Sequence, residues 1–133
     1  MNRENFLTLI AHMRTLRHVT RNAEQGYDTE FPEGGFNMLY YSNSCGTPMC
    51  IAGHICKLSD PLRDVGPAHA AEWLGLKYSW ALDFLFSPYD LGIPYNDITR
   101  EQAIAALERT LAAGDDYLWL TIREVWGFDV RNP

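Results

Sequence analysis

The chain is cut at short intervals by signals that start or stop helices, and this punctuation limits what it can build. Gly26 and the pair Gly34-Gly35 interrupt the first third. Thr47-Pro48 is a start signal: the Thr47 hydroxyl can accept from a free first-turn amide, and Pro48 lacks only an N–H that would be unpaired there. Ser59-Asp60-Pro61 stops that helix, whose expected end is near Leu58. Gly66-Pro67 opens the next, and Gly75 is placed to close it as a left-handed C-cap. Ser79 is placed to cap a helix from Trp80 to Phe86, which Ser87-Pro88 ends. Thr99-Arg-Glu-Gln102 spells a capping box, with Ile98 before it as a staple, and Gly114 ends the helix so begun.

Between these marks the apolar residues recur at helical steps. Phe6, Leu9, Ile10, Met13, Leu16 and Val19 predict an amphipathic helix over roughly residues 3–24. Ala103, Ile104, Leu107 and Leu111 predict a second buried stripe. Residues 36–42 are too short to assign to a strand or a helical turn. Residues 116–126 are apolar almost all round, which favours a buried final helix, with a strand over Leu118 to Ile122 as the alternative. The expectation is a mainly α fold, one domain over residues 1–133 with five or six short helices and at most a minor strand or hairpin. Its parts are an N-terminal amphipathic helix over 1–25, a motif-bearing core over 36–114 and a C-terminal helix or tail over 115–133.

Composition narrows the function classes. Of 133 residues, 47 % are hydrophobic and 13 % aromatic, which argues against intrinsic disorder. No apolar run approaches the roughly 20 residues that cross a bilayer, and the first residues do not read as a signal peptide. The three cysteines, Cys45, Cys50 and Cys56, fall within a short stretch, which suits reduced thiols in a cytoplasm better than a disulfide framework. The net charge of −6 is unevenly spread: Arg3, Arg14, Arg17 and Arg21 make the first segment basic, and the remainder is strongly acidic. An acidic body discourages binding to a phosphate backbone. It suits a basic protein partner, or solubility alone. The face formed by Arg14, Arg17, His18 and Arg21 reads as a solvated surface, with a nucleic-acid contact as the sharper alternative.

Chemistry concentrates in Asn43–Cys56. Cys45 stands just ahead of the expected helix N-terminus, whose dipole and free amides favour a thiolate and can hold an oxyanion. Cys45 is therefore a candidate nucleophile, with His54 or His69 as candidate base. Asn43-Ser-Cys45-Gly-Thr47 resembles, over five residues, the cysteine neighbourhood of ubiquitin C-terminal hydrolases. Those enzymes use a β-sheet to bring a distant His and Asp to the thiol, and this chain gives little strand signal. Cys45, Cys50 and His54 are also candidate zinc ligands, since Cys50 and His54 are one helical turn apart, with a remote fourth donor such as His69. Cys56, six positions beyond Cys50, should point away. The spacing C-x4-C-x3-H matches no established structural zinc motif, and packed cysteines beside Ala52 and Gly53 account for it equally.

Two further features invite a function. Ala71, Leu74-Gly75-Leu76, Ala81 and Phe84 follow helix-turn-helix spacing, but the would-be recognition helix from Tyr78 to Leu85 has no Arg, Asn or Gln to read base edges. A tight corner between helices is the better account. The proline-stiffened stretch 86–97 offers Tyr89, Asp90, Tyr95 and Asp97 as candidate protein-contact residues, unless its rings fold onto the core. Its acids lack the alternation of a calcium loop.

Taken together, Phe36-Asn-Met38, the string Cys45-Gly-Thr47-x-x-Cys50-Ile-Ala-Gly53-His54, Ala70-Ala71-x-x-Leu74-Gly75-Leu76, Leu85-Phe86 and Ile98-Thr99-x-x-Gln102-Ala103 resemble a group of small bacterial and phage proteins marked by a CGTxxCIAG motif. The resemblance covers about residues 36–114. It implies a cytoplasmic accessory protein and transfers no catalytic residue, because the group has no established activity. The leading expectation is a non-enzymatic protein acting through contacts with a host protein or with itself, modulating a host factor such as a defence protein. The alternatives are a thiol enzyme centred on Cys45 and a zinc-stabilised or helix-turn-helix nucleic-acid-binding module. No cofactor is expected unless zinc binds, and neither nucleic acid nor membrane is an expected partner.

Overall fold

The N-terminus of the first helix is set by Asn2, which is extended and accepts from the Asn5 amide through its side chain at 3.1 Å. A computed structural model describes residues 1–16, 50–60, 66–88 and 98–127. Helix α1 (Arg3–Met13) buries Phe6, Leu9, Ile10 and Met13, and Leu16 beyond its end is buried too. Eleven residues make a marginal helix alone, so these apolar contacts hold it, at about 1.5–3 kcal/mol for each large side chain. The α-helix ends at Met13, well short of the expected 24. Thr15 and Leu16 bond back only three residues, to the carbonyls of His12 and Met13, in a tightening turn. Val19, Arg17, His18 and Arg21 lie outside the described residues.

Helix α2 (Ile51–Ser59) opens later than expected. Cys50 is its N-cap, extended and without a side-chain capping bond, so Pro48 is not its first position. Thr47, Pro48 and the segment 36–42 lie outside the described residues. The stop is as expected, with Asp60 as C-cap. Helix α3 (Gly66–Leu74) ends in a Schellman motif: the Leu76 amide reaches the Ala71 carbonyl and the Gly75 amide that of Glu72, both at 2.9 Å, with Gly75 at φ +71°. A Cβ on Gly75 would stand 2.7 Å from the Asn2 nitrogen, so only glycine admits the N-terminus here. The approach joins two sets of orphans: the Asn2 amide donates to the Leu74 carbonyl and the Asn5 side chain to that of Trp73, both at 2.8 Å.

Helix α4 (Tyr78–Trp80) runs directly into a π-helix, Ala81–Phe86, closed by the Ser87 amide on the Leu82 carbonyl. Ser79 lies inside α4 and caps nothing. The N-cap is Lys77, whose amide donates to the Tyr117 hydroxyl at 2.8 Å. Helix α5 (Arg100–Ala113) begins with the expected capping box, Gln102 amide to Thr99 hydroxyl at 3.1 Å and Thr99 amide to Gln102 side chain at 2.8 Å. Ile98, Ala103, Ile104, Leu107 and Leu111 are buried as the pattern predicts. Thr110 is fully buried, its hydroxyl satisfied by the Ala106 carbonyl.

The segment after α5 departs from expectation. In place of one buried helix or a strand there is a 3-10 helix, Gly114–Trp119, then helix α6 (Ile122–Trp126) with its own capping box from Thr121 and Glu124. Tyr117, Val125 and Trp126 are buried, whereas Leu118 and Trp119 are not. The Trp126 indole donates to the Phe84 carbonyl at 2.8 Å, tying α6 to the π-helix. The fold is mainly α, and the described residues contain no strand. Helix α2 packs on α3, and α5 on both α1 and α6. No described helix is long and apolar enough to cross a membrane.

Candidate functional site

The described part of the Cys/His segment is an interior. His54 has no solvent exposure, and its Nδ1 lies 3.2 Å from Nε2 of His12 on α1. Two imidazoles share such a bond only when one is donor and the other acceptor, so the pair fixes complementary tautomers. The rings are tilted, with centroids 5.1 Å apart. Burial pushes the His12 pKa below its ordinary 6.5, and the nearby positive charge of Lys57 acts in the same sense.

Cys50 and Cys56 are free and buried. Burial raises the Cys50 thiol from 9.0 to about 11, although backbone amides of Gly53 and Ala52 at the helix start pull the other way. Desolvation therefore outweighs the helix terminus, and near neutral pH Cys50 is a protonated, unreactive thiol. Cys56 turns to α3, where its sulfur donates to the Gly66 carbonyl at 3.4 Å. His69, the other candidate base, holds Ser59 at 2.8 Å between Nε2 and Oγ. The structure thus gives the two candidate bases, His54 and His69, different partners, and brings His12, which carries no sequence signal, against His54. Among the described residues no group of three His, Cys, Asp or Glu side chains is placed to hold a metal ion. Cys45 lies outside the described residues, as do Tyr89, Asp90, Tyr95 and Asp97.

The helix-turn-helix spacing marks a packed corner. Ala71, Leu74, Leu76 and Ala81 are all buried, and Trp80 stacks on Phe84 with centroids 5.1 Å apart. Tyr117 meets Trp80 edge-on at 4.9 Å.

Two surface features have a different character. On the 3-10 helix Trp119 is 84 % exposed and Leu118 51 %, and Asp115 and Asp116 precede them in the same turns. The buried Tyr117 between acids and anchors fixes the backbone through Trp80 and the Lys77 amide, so the exposed pair stands on a rigid base. Signals for this existed in the sequence: Asp115-Asp116 opens the segment, and Thr121-x-x-Glu124 is a capping signature that splits it. The second feature is a groove of about 330 Å³ between α1 and α5, lined by Arg3, Leu7, Ile10 and Arg14 on one side and Glu108, Leu111 and Ala112 on the other. Arg14 meets Glu108 across it at 3.0 Å. Comparison with known proteins finds no matching family model, no matching curated protein and no matching solved structure.

Proposed function

We propose that the protein works by binding another protein, with the 3-10 helix Gly114–Trp119 as its contact element. The observation that carries this reading is Trp119, a large indole 84 % exposed on a braced turn. Burying an indole of this size at an interface removes a large apolar area from water, and Trp is enriched among residues that dominate binding energy. Leu118 extends the apolar area, and Asp115 and Asp116 supply an acidic rim suited to a partner with basic groups. Cys50 fits the same picture, since burial holds its thiol protonated near neutral pH. The two free, buried thiols accord with a reducing cytoplasm. A small accessory protein of phage or bacterial type that modulates a host protein by contact is the function this supports.

The test is affinity capture from bacterial lysate with the wild type and Trp119→Ala in parallel, at matched thermal stability. A protein retained by the wild type and lost from the variant supports the reading. Identical captures by both would end it, and none by either would end the case for a host partner.

A further inference from the structure

The groove between α1 and α5 and the Trp119 turn are complementary. Arg3, Leu7, Ile10 and Arg14 follow one another at i, i+4, i+7 and i+11, a single ridge about 16 Å long with a guanidinium at each end. Ile10 and Leu111 are almost fully buried, while Leu7 is 51 % exposed, so the groove has an apolar interior that water still reaches. Arg14 is engaged by Glu108, but the Arg3 side chain makes no hydrogen bond or ion pair among the described residues. In a chain of net charge −6, two guanidiniums against the one carboxylate of Glu108 leave this rim net positive at its Arg3 end, around apolar surface. The Trp119 turn is its converse, an apolar pair beside two carboxylates. A space of about 330 Å³ suffices for an indole.

We propose that the occupant of this groove is a second copy of the same chain. Leu118 and Trp119 of one copy seat in the groove of the other, and Asp115 and Asp116 face its Arg3. The proposal rests on the contact role assigned to Trp119 above and names its partner. Both halves lie near one end of α5. Leu111 and Ala112 close the groove just before Gly114, and the Met1 amine, two residues from Arg3, stands 3.9 Å from Asp115. A two-fold axis beside that end engages both halves at once, so the assembly closes as a dimer. With two anchors and partly exposed charges, the dimer is of the small, transient kind and sensitive to salt.

Sedimentation velocity over a dilution series of the intact protein tests this. The mass is expected to rise with concentration from that of one chain towards that of two, and to fall again in high salt. Trp119→Ala and Arg3→Glu are each expected to weaken the dimer at least about tenfold, the threshold typical of anchor residues. Asp116→Arg should restore association when combined with Arg3→Glu. All these side chains are exposed, and thermal melts confirm that each variant is folded. A chain that stays monomeric at every concentration, or a dimer that both single variants leave intact, would overturn the proposal. If the chain is monomeric yet Trp119→Ala still abolishes capture of a lysate protein, self-docking is wrong and the contact role of Trp119 stands.

Discussion

At Cys50 two effects act on one sulfur in opposite senses. The start of α2 favours the thiolate, burial opposes it, and burial wins by enough to hold the pKa near 11. Native protein at pH 8 should therefore leave Cys50 unmodified by iodoacetamide, and denaturant should expose it; alkylation of Cys50 in the folded state would show the burial to be wrong. A pH effect on stability follows. Between about pH 9 and pH 11 the unfolded thiol has lost its proton while the folded one keeps it, so stability falls as pH rises through that window. Cys50→Ala should flatten this part of the profile relative to wild type, measured as melting temperature against pH. The two buried tryptophans differ in the same local way. The Trp126 indole donates to the Phe84 carbonyl, whereas Trp80 Nε1 is buried with no partner among the described residues. Trp126→Phe leaves a carbonyl without its donor, and Trp80→Phe removes a donor already unmatched. By urea denaturation the first should cost about 1–2 kcal/mol more than the second.

At the scale of elements the helix ends govern. Gly75 and Gly127 both hold positive φ, and both end helices, but they face different neighbours. Against Gly75 lies the backbone of Met1 and Asn2, which cannot yield without undocking α1. Against Gly127 lies the Arg109 guanidinium, the end of a flexible side chain that donates to the Val125 carbonyl at 3.3 Å. Gly127→Ala should cost about 1 kcal/mol, mostly backbone strain with the loss of one cap contact. Gly75→Ala should cost clearly more, and equal melting temperatures for the two variants would refute the difference. Such ends were also what could be read in advance. Thr99 with Gln102 and the stop at Gly75 are local chemistry, complete within a few residues, and both are in place. The end of α1 was not legible, because Leu16 continues the apolar period although the backbone has tightened into a 3-10 turn. Residues 116–126 are hard to read for a related reason: an apolar count cannot tell an anchor held out to solvent from one held inside, and only the capping box at Thr121 and Glu124 marks the break. His12 against His54 was illegible because nothing in 42 residues of separation announces it.

Across the whole molecule, α1 is secured by residues far along the chain. Arg100 is notable here: at the first position of α5 its charge is unfavourably placed for that helix, yet its guanidinium donates to the carbonyls of Arg14 at 3.0 Å and Leu16 at 2.7 Å. Glu101 accepts from the same guanidinium at 2.9 Å and offsets the charge. Arg100→Ala should lower stability by about 1–3 kcal/mol in urea denaturation, since it strips a charged donor from two carbonyls. Acid acts on the same helix through His12. With its folded pKa depressed, the unfolded state takes up the proton first, so stability is lost as pH falls below 6.5. His12→Gln should reduce that slope, measured by thermal melts across the acid range.

The distance between α1 and its fastenings bears on how the protein is made. A ribosome delivers α1 ahead of the other described helices, as eleven residues too few to hold a helix by themselves. Its partners follow much later: His54, then Trp73 and Leu74, and last, 84 residues after Leu16, the guanidinium that closes over it. Until Arg100 has cleared the exit tunnel, a helix synthesised well before its partners is among the last to find its place.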